Sequence, residues 1–126
     1  MSIYDDDDMF TAEFNRMQKE AYEISAQHGF NDAWYNAETN ERRNEINGLK
    51  IALVHSELSE ALDAIRIGNP PDNHIPKFSG AEAELADTVI RIMNLAEQNG
   101  YRLAKAIVAK NAYNADRPFL HGGKAF

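Results

Sequence analysis

Apolar side chains recur every three or four residues along most of this chain, which is the spacing of helices that bury one face. Glycine, asparagine and proline interrupt the pattern, and Ser79 stands three residues before Glu82, a pair that opens helices as a capping box. The pattern therefore predicts an all-α protein, a four-helix bundle with almost no strand. The predicted helices cover approximately residues 9–29, 40–67, 80–98 and 101–115.

The second predicted helix carries two glutamates, Glu57 and Glu60, inside an apolar run. At about 100° per residue they project to the same side as Ile46 and Leu53. We expect this helix to be the most buried of the four. Burying an ionised carboxylate without a partner costs several kcal/mol. Two carboxylates at i and i+3, with side chains about 5–6 Å apart, therefore predict a cation beside this helix.

A second acidic pair, Glu84 and Asp87, repeats the same spacing on the third predicted helix. The pair lies at the polar edge of that helix's apolar stripe, beside Arg91. Residues at the edge of an apolar stripe lie where two packed helices meet, as a site between helices requires. Four carboxylates on two helices predict a metal site. Magnesium suits such a site because it prefers oxygen ligands, and Mn²⁺ is the second candidate.

Composition restricts the possible functions of the chain. Its 126 residues predict one domain, with residues 1–8 as an acidic tail and 118–126 as a flexible basic tail. The absence of cysteine excludes disulfides, zinc–thiolate sites and a thiol nucleophile. The net charge of −7 argues against a nucleic-acid partner and favours a site for divalent cations. With no signal peptide and no apolar run of membrane length, we expect a cytoplasmic protein without a membrane partner.

Three further groups of residues are candidates for contacting a ligand. Trp34 lies in the polar connector after the first helix, where it serves either as a core anchor or as a platform that stacks on a base. Lys77 precedes the second acidic pair in a proline-rich connector. One face of the fourth predicted helix carries Lys110, Asn114 and Arg117 at i, i+4 and i+7, which is either a solvated face or a binding face.

The two acidic pairs also carry a family resemblance. E-x-x-E at Glu57 and Glu60, followed by E-x-x-D at Glu84 and Asp87 within the sequence ELAD, resembles the MazG-like all-α nucleoside triphosphate pyrophosphohydrolases. The segment KNAYNADRP is similar to the part of that family's fourth helix that contacts phosphates. The resemblance extends from about residue 10 to residue 117.

The resemblance implies a MazG-like helical domain that hydrolyses a nucleoside triphosphate to monophosphate and pyrophosphate, as housecleaning of the nucleotide pool. It implies a dimer or tetramer that binds Mg²⁺. The family's metal-binding and catalytic positions correspond to Glu57, Glu60, Glu84 and Asp87. Its phosphate contacts correspond to Lys110, Asn114 and Arg117. Where the family often has a lysine this chain has Ala81, and Lys77 is the candidate substitute.

Other classes of protein share part of this pattern. A di-iron carboxylate bundle has a histidine three residues after a glutamate, and no histidine follows any of the four acids at that spacing. A non-catalytic nucleotide-binding protein or a helical interaction protein would keep the same bundle, and phosphoribosyl-ATP pyrophosphohydrolase shares the implied fold. The second helix has a wider apolar sector than one neighbour covers, so we expect association at least as a dimer.

Overall fold

The computed structural model of this chain describes residues 6–118. Residues 1–5 and 119–126, which make up most of the two predicted tails, lie outside that range. The described residues form five helices and no β-strand, with one isolated bridge between Pro71 and Ser79. The all-α prediction is therefore confirmed. The helices are α1 Asp6–Gln27, α2 Asp32–Tyr35, α3 Asn40–Arg66, α4 Gly80–Asn99 and α5 Leu103–Ala115.

Local sequence explains where the long helices begin and end. The side chain of Thr39 accepts a hydrogen bond from the backbone N–H of Arg42 at the start of α3. Ser79 and Glu82 form the predicted capping box at the start of α4. Gly100 ends α4 with a φ of 70°, a left-handed conformation that glycine adopts without strain. Apart from the start of α1, every end of the four long helices lies within two residues of its predicted position.

Two features of the N-terminal region differ from the prediction. α1 begins at Asp6 rather than at residue 9, so Asp6, Asp7 and Asp8 form its first turn instead of an acidic tail. Carboxylates at a helix N-terminus are stabilised by the helix dipole, which accounts for the longer helix. The connector after α1 contains the short helix α2, and Trp34 lies in this helix rather than in an irregular loop.

α4 is the centre of the packing. Both α3 and α1 pack against it, while α5 packs on α1 and α2 packs on α3. Seven residues of α4 are buried, compared with three residues of α3. In a single copy of the chain, α4 and not α3 is the most buried helix, so the prediction of α3 is wrong. Apolar residues surround most of α3, and one long neighbour covers only part of that circumference.

α3 and α4 run antiparallel, with a register that side-chain contacts define. Residues late in α3 meet residues in the middle of α4, and residues early in α3 meet the end of α4. The contacts that show this are Glu57 with Arg91, Lys50 with Gln98, and Asn47 with Asn99. The register places the first acidic pair, late in α3, beside the second acidic pair, early in α4.

Large apolar side chains remain exposed along α3 and α4. Leu58, Leu62 and Ile65 follow one face of α3 at i, i+4 and i+7, and Leu85 and Val89 are exposed on α4. Contiguous apolar surface of this kind marks an interaction site on many proteins. No helix within residues 6–118 is both long and apolar enough to cross a bilayer.

Candidate metal centre and adjoining cavity

Three of the four predicted acids meet between α3 and α4. Carboxylate oxygens of Glu57, Glu60 and Glu84 lie within 4.8 Å of one another. Glu57 and Glu60 come from one turn of α3, and the antiparallel packing brings Glu84 of α4 opposite them. Glu57 is buried, Glu84 is half-buried and Glu60 is exposed. This acid cluster is therefore closed on one side and open to solvent on the other.

Arg91 neutralises part of the acid cluster. Its Nε donates a hydrogen bond to Oε1 of Glu57 at 2.9 Å, and the Glu57 side chain is only 11% exposed. The guanidinium thus supplies the charged partner that a buried carboxylate needs. The sequence predicted a cation beside Glu57, and the cation that the structure shows there is this arginine.

The pKa values of the Glu57 and Glu84 carboxyl groups are shifted in opposite directions. Hydrogen bonding to Glu57, together with burial and the charge of Glu60, raises the pKa of Glu84 to about 7. Burial acts to raise the pKa of Glu57 as well, but hydrogen bonds with Glu84 and Arg91 hold it below its ordinary value. Two adjacent carboxyl groups that cannot both ionise at low cost separate their pKa values in this way. Glu84 is therefore the member of the pair that takes up a proton as the pH falls through about 7.

Asp87, the fourth predicted acid, lies close to the acid cluster without belonging to the three-carboxylate group. Burial and the negative charge of Glu57 raise the pKa of Asp87 above its ordinary value. The connector between α3 and α4 approaches the same carboxylate, since the charges of Asp72 and His74 also act on it. The Asp72 carboxylate accepts hydrogen bonds at 2.9 Å from the backbone N–H groups of His74 and Ile75, which order this part of the connector.

A cavity of about 250 Å³ adjoins the acid cluster. Glu57 of α3 and Asp87 and Arg91 of α4 line one part of it. Its volume is just below the roughly 300–1,000 Å³ of typical ligand pockets, so it accommodates one ring system rather than a whole nucleotide. The cavity is therefore suited to part of a ligand whose remainder lies against the acid cluster.

The rest of the cavity has a polar end that the sequence did not predict. Leu53 of α3 and Ile90 of α4 supply apolar lining, and Lys50 and Asn94 supply polar lining. Lys50 stands seven residues before Glu57, and Asn94 stands seven residues after Asp87. At 1.5 Å per residue, each lies about 10 Å along its helix from the acids. The cavity thus has an acidic end and an amide–lysine end.

Lys50 and Asn94 belong to one buried hydrogen-bond network. Lys50 Nζ donates to Oδ1 of Asn31 at 2.7 Å and to Oε1 of Gln98 at 2.8 Å. Asn31 and Asn94 exchange two hydrogen bonds between their side-chain amides, each at 2.9 Å. Asn31 is 1% exposed and Asn94 is 7% exposed. Partial burial lowers the pKa of Lys50.

Trp34 is in contact with neighbours in its own chain. The guanidinium carbon of Arg43 lies 4.7 Å from the Trp34 ring centroid, and the Tyr35 ring meets the indole edge-on at 5.3 Å between centroids. Arg43 Nε also donates to the Trp34 carbonyl oxygen at 3.4 Å. Trp34 is half-buried and does not line the cavity. These contacts are those of a packing residue, and stacking of Trp34 on a base stays a prediction.

The remaining predicted substrate contacts lie outside α3 and α4, the two helices that carry the acid cluster. Lys110 and Asn114 lie in the second half of α5, which packs on α1, and Arg117 lies just beyond the end of this helix. Lys110 Nζ and the guanidinium carbon of Arg117 face the ring of Tyr113, at 4.9 Å and 5.9 Å from its centroid. Lys77 is exposed in the connector before α4. Within the described part of the chain, none of these four residues is ion-paired with the cluster, where Arg91 is the basic partner of Glu57.

The ligand atoms of the acid cluster fit a hard divalent cation. Mg²⁺ takes oxygen ligands at about 2.0–2.1 Å, so two oxygens bound to one ion lie at most about 4.2 Å apart. The carboxylate oxygens of Glu57, Glu60 and Glu84, all within 4.8 Å of one another, reach that spacing with small side-chain adjustments. Mn²⁺ accepts the same type of ligand. The cluster does not distinguish between the two ions.

Fold and site together define an all-α protein with a carboxylate cluster beside a small cavity. Neither known protein families, nor curated proteins, nor solved structures give a match to this chain. The resemblance to the MazG-like family therefore rests on the two acidic pairs and on the segment from Lys110 to Pro118.

Proposed function

We propose that this protein is a Mg²⁺-dependent nucleoside triphosphate pyrophosphohydrolase of the MazG-like type. It would convert a ribo- or deoxyribonucleoside triphosphate to the monophosphate and pyrophosphate, and so remove nucleotides from the pool. The observation that carries the proposal is the meeting of Glu57, Glu60 and Glu84 between two packed helices, directly beside a cavity. The cluster offers oxygen ligands to a cation, and the cavity offers room for part of a nucleotide.

Each residue of the site has a role that follows from its surroundings. Glu57, Glu60 and Glu84 would hold the metal ion, with Asp87 as a further ligand. When bound, Mg²⁺ supplies positive charge against the phosphates and lowers the pKa of water. Arg91 holds the buried Glu57 carboxylate in position. Glu84 has a pKa of about 7 without a metal ion, so binding the cation would displace the proton that this carboxyl group takes up near neutral pH.

We also propose that the protein assembles as a dimer or tetramer. The exposed apolar faces of α3 and α4, which include Leu62 and Val89, are the surface that a second copy would cover. Lys110 and Arg117 lie on the α5 side of their own chain, apart from its acid cluster. In such an assembly, Lys110 and Arg117 of a neighbouring copy would contact the triphosphate bound at the acid cluster.

A product analysis tests the proposed activity. Canonical and modified nucleoside triphosphates are incubated with Mg²⁺, and monophosphate and pyrophosphate are measured separately. We expect equal amounts of the two products, and a severe loss of activity in Glu57→Gln and Glu84→Gln. Glu23→Gln makes the same charge change at an exposed position of α1 and should retain activity. Release of orthophosphate instead of pyrophosphate, or full activity in both cluster variants, would contradict the proposal.

A non-catalytic nucleotide-binding or helical interaction protein is the second candidate, and the exposed apolar faces of α3 and α4 favour it. Such a protein would bind nucleotide, or another protein, and form no monophosphate. Phosphoribosyl-ATP pyrophosphohydrolase is the alternative within the enzyme class, and phosphoribosyl-ATP is therefore included among the substrates tested. A cytoplasmic location stays a prediction.

A further inference from the structure

Arg91 both contacts the acid cluster and lines the cavity. A guanidinium carries five N–H donors, and Arg91 donates the N–H of Nε to Oε1 of Glu57 at 2.9 Å. Within residues 6–118, no other residue accepts a hydrogen bond from Arg91. The outer edge of the guanidinium, formed by one N–H of each terminal nitrogen, is therefore left for a ligand. The side chain is 41% exposed, so a ligand can reach it.

The outer edge has the geometry that a phosphate group requires. Its two N–H bonds are parallel, and two oxygens of one phosphoryl group accept them together. The N–H of Nε does not belong to this edge, so the bond to Glu57 and a bond to a phosphate are compatible. A lysine ammonium lacks such an edge, because it is a single point of charge. Arg91 is therefore able to hold Glu57 and to bind one phosphate at the same time.

Arg91 lies between the two ends of the cavity. Asp87, at the acidic end, stands four residues before it on α4, and Asn94, at the amide–lysine end, stands three residues after it. At 1.5 Å per residue, these positions are about 6 Å and about 4.5 Å away along the helix. All three residues line the cavity. A ligand that extends from the acid cluster into the cavity therefore passes Arg91.

The order of the groups in a nucleotide matches this order of residues. The α-phosphoryl group joins the sugar and base on one side to the β- and γ-phosphates on the other. With the metal-bound phosphates at the acid cluster and the ring in the cavity, the α-phosphoryl group lies beside Arg91. Its negative charge requires a cation there, because Glu57 and Asp87 are acids. Lys50 is less suitable, since it lies about 10 Å along α3 from Glu57.

We propose that Arg91 binds the α-phosphoryl group of the nucleotide through the outer edge of its guanidinium, while Nε holds Glu57. One side chain thus positions both a metal ligand and the substrate. The contact does not involve the base, so it serves every nucleoside triphosphate that enters the cavity. This inference rests on the proposed function, because it takes the metal-bound phosphates to lie at the acid cluster.

Binding of the two reaction products separates the α-phosphoryl group from the other phosphates. A deoxynucleoside monophosphate carries the α-phosphoryl group alone, and pyrophosphate carries the other two. The monophosphates of the four common bases and pyrophosphate are each titrated by isothermal calorimetry with Mg²⁺. Arg91→Lys should weaken monophosphate binding by roughly tenfold to a hundredfold, the loss expected for a hydrogen bond to a charged group. Pyrophosphate binding should be nearly unchanged.

The same variant shows whether Arg91 acts only by holding Glu57. A lysine ammonium still pairs with Glu57, so Arg91→Lys should keep the wild-type melting temperature and its rise with Mg²⁺. A role limited to Glu57 predicts normal monophosphate binding in this variant. Arg91→Gln keeps an amide donor for Glu57 but lacks the outer edge, and it should show the same selective loss. Arg42→Lys makes the matched change in an exposed pair with Glu45 and should bind both products normally.

The outcomes separate this assignment from the proposed function. Unchanged monophosphate binding in either folded Arg91 variant overturns the assignment. An equal loss for monophosphate and pyrophosphate also overturns it, because Arg91 would then act through the metal site. It falls as well if the wild-type protein binds no monophosphate but still binds pyrophosphate or an α,β-imido triphosphate, which resists cleavage at that linkage. If none of these ligands binds with Mg²⁺, the proposed function itself is wrong.

Discussion

Arg91 Nε lies 2.9 Å from Glu57 Oε1, and this ion pair joins α4 to α3 at the acid cluster. The Glu57 side chain is 11% exposed and that of Arg91 is 41% exposed, so solvent reaches the guanidinium but hardly the carboxylate. Removing the arginine would leave a buried carboxylate among other acids. Such a loss is more costly than the loss of an exposed ion pair.

We expect Arg91→Ala to lower the free energy of unfolding by roughly 1.5–3 kcal/mol, the range for a hydrogen bond to a charged group. Urea unfolding at neutral pH without divalent cations measures it. Arg42→Ala, which breaks an exposed pair with Glu45, is the matched control and should change stability by less than about 1 kcal/mol. In the double variant with Glu57→Gln, the loss should be smaller than the sum of the single losses, whereas additive losses would show that the pair is not coupled.

Stability should also depend on the protonation of Glu84. Its pKa is about 7 in the folded protein, against an ordinary value of 4.5, so the folded state binds this proton more tightly than the unfolded chain does. The resulting stabilisation is fully present below pH 4.5 and is lost as the pH rises through about 7. The raised pKa of Asp87 acts in the same direction. Glu57, with a lowered pKa, acts in the opposite direction at low pH.

Comparison with Glu84→Gln isolates the contribution of Glu84, because the glutamine cannot ionise. In the presence of a chelator, the melting temperature of the wild-type protein should fall relative to that of Glu84→Gln as the pH rises from about 5 to about 8. Glu23→Gln should follow the wild-type profile. A difference between wild type and Glu84→Gln that stays constant over this range would contradict the assignment.

Divalent cations should stabilise the protein, because the acid cluster exists only in the folded state. A ligand at 100 times its dissociation constant adds about 2.7 kcal/mol to the free energy of unfolding. We expect Mg²⁺ or Mn²⁺ to raise the melting temperature and a chelator to reverse the change. Glu57→Gln and Glu60→Gln should reduce this shift, and Glu23→Gln should not. If a cluster variant kept the full shift, that residue would not be a metal ligand.

The parts of the fold that follow from local sequence were predicted well. Thr39, the Ser79–Glu82 capping box and Gly100 set helix ends through contacts within a few residues. The spacing of the acidic pairs also fixes each pair to one side of its helix. For this reason Glu57 and Glu84 could be expected to meet once α3 and α4 packed against each other.

The remaining features depend on contacts between distant parts of the chain. Leu53 lies on the apolar side of its helix in the sequence pattern but is 39% exposed, because the pattern shows which face is apolar and not how many neighbours cover it. Lys50 and Asn94 were not predicted as site residues, since single polar residues on a helix usually face solvent. In the structure both side chains are hydrogen-bonded to Asn31, which stands 63 positions before Asn94.

Gly48 offers a test of whether α3 is free on its outer side. It lies in the middle of α3, and a Cβ atom added there meets nothing within 4 Å. Gly48→Ala should raise the free energy of unfolding by about 0.5–1 kcal/mol, because alanine has less backbone freedom to lose on folding. Gly100→Ala should lower it, since φ there is +70°. Destabilisation by Gly48→Ala would indicate that another molecule packs closely on this part of α3.

The exposed face of α3 formed by Leu58, Leu62 and Ile65 should be an interface between copies of this chain. We expect light scattering to give a mass of at least two chains at micromolar concentration. Leu62→Glu places a charge in the middle of this apolar face and should yield a folded monomer. Met9→Glu makes a comparable change at an exposed position of α1 and should leave the mass unchanged. A monomeric wild-type protein would contradict the prediction.

Activity of the Leu62→Glu monomer then shows where the phosphate contacts come from. Lys110 and Arg117 lie on the α5 side of their own chain, whereas the acid cluster lies between α3 and α4. If these cations reach the triphosphate from a neighbouring copy, the monomer should lose hydrolysis while keeping the Mg²⁺-induced rise in melting temperature, because its metal ligands all come from one chain. An active monomer would place the phosphate contacts within a single chain, and Arg117→Ala should then weaken triphosphate binding equally in the monomer and in the wild-type assembly.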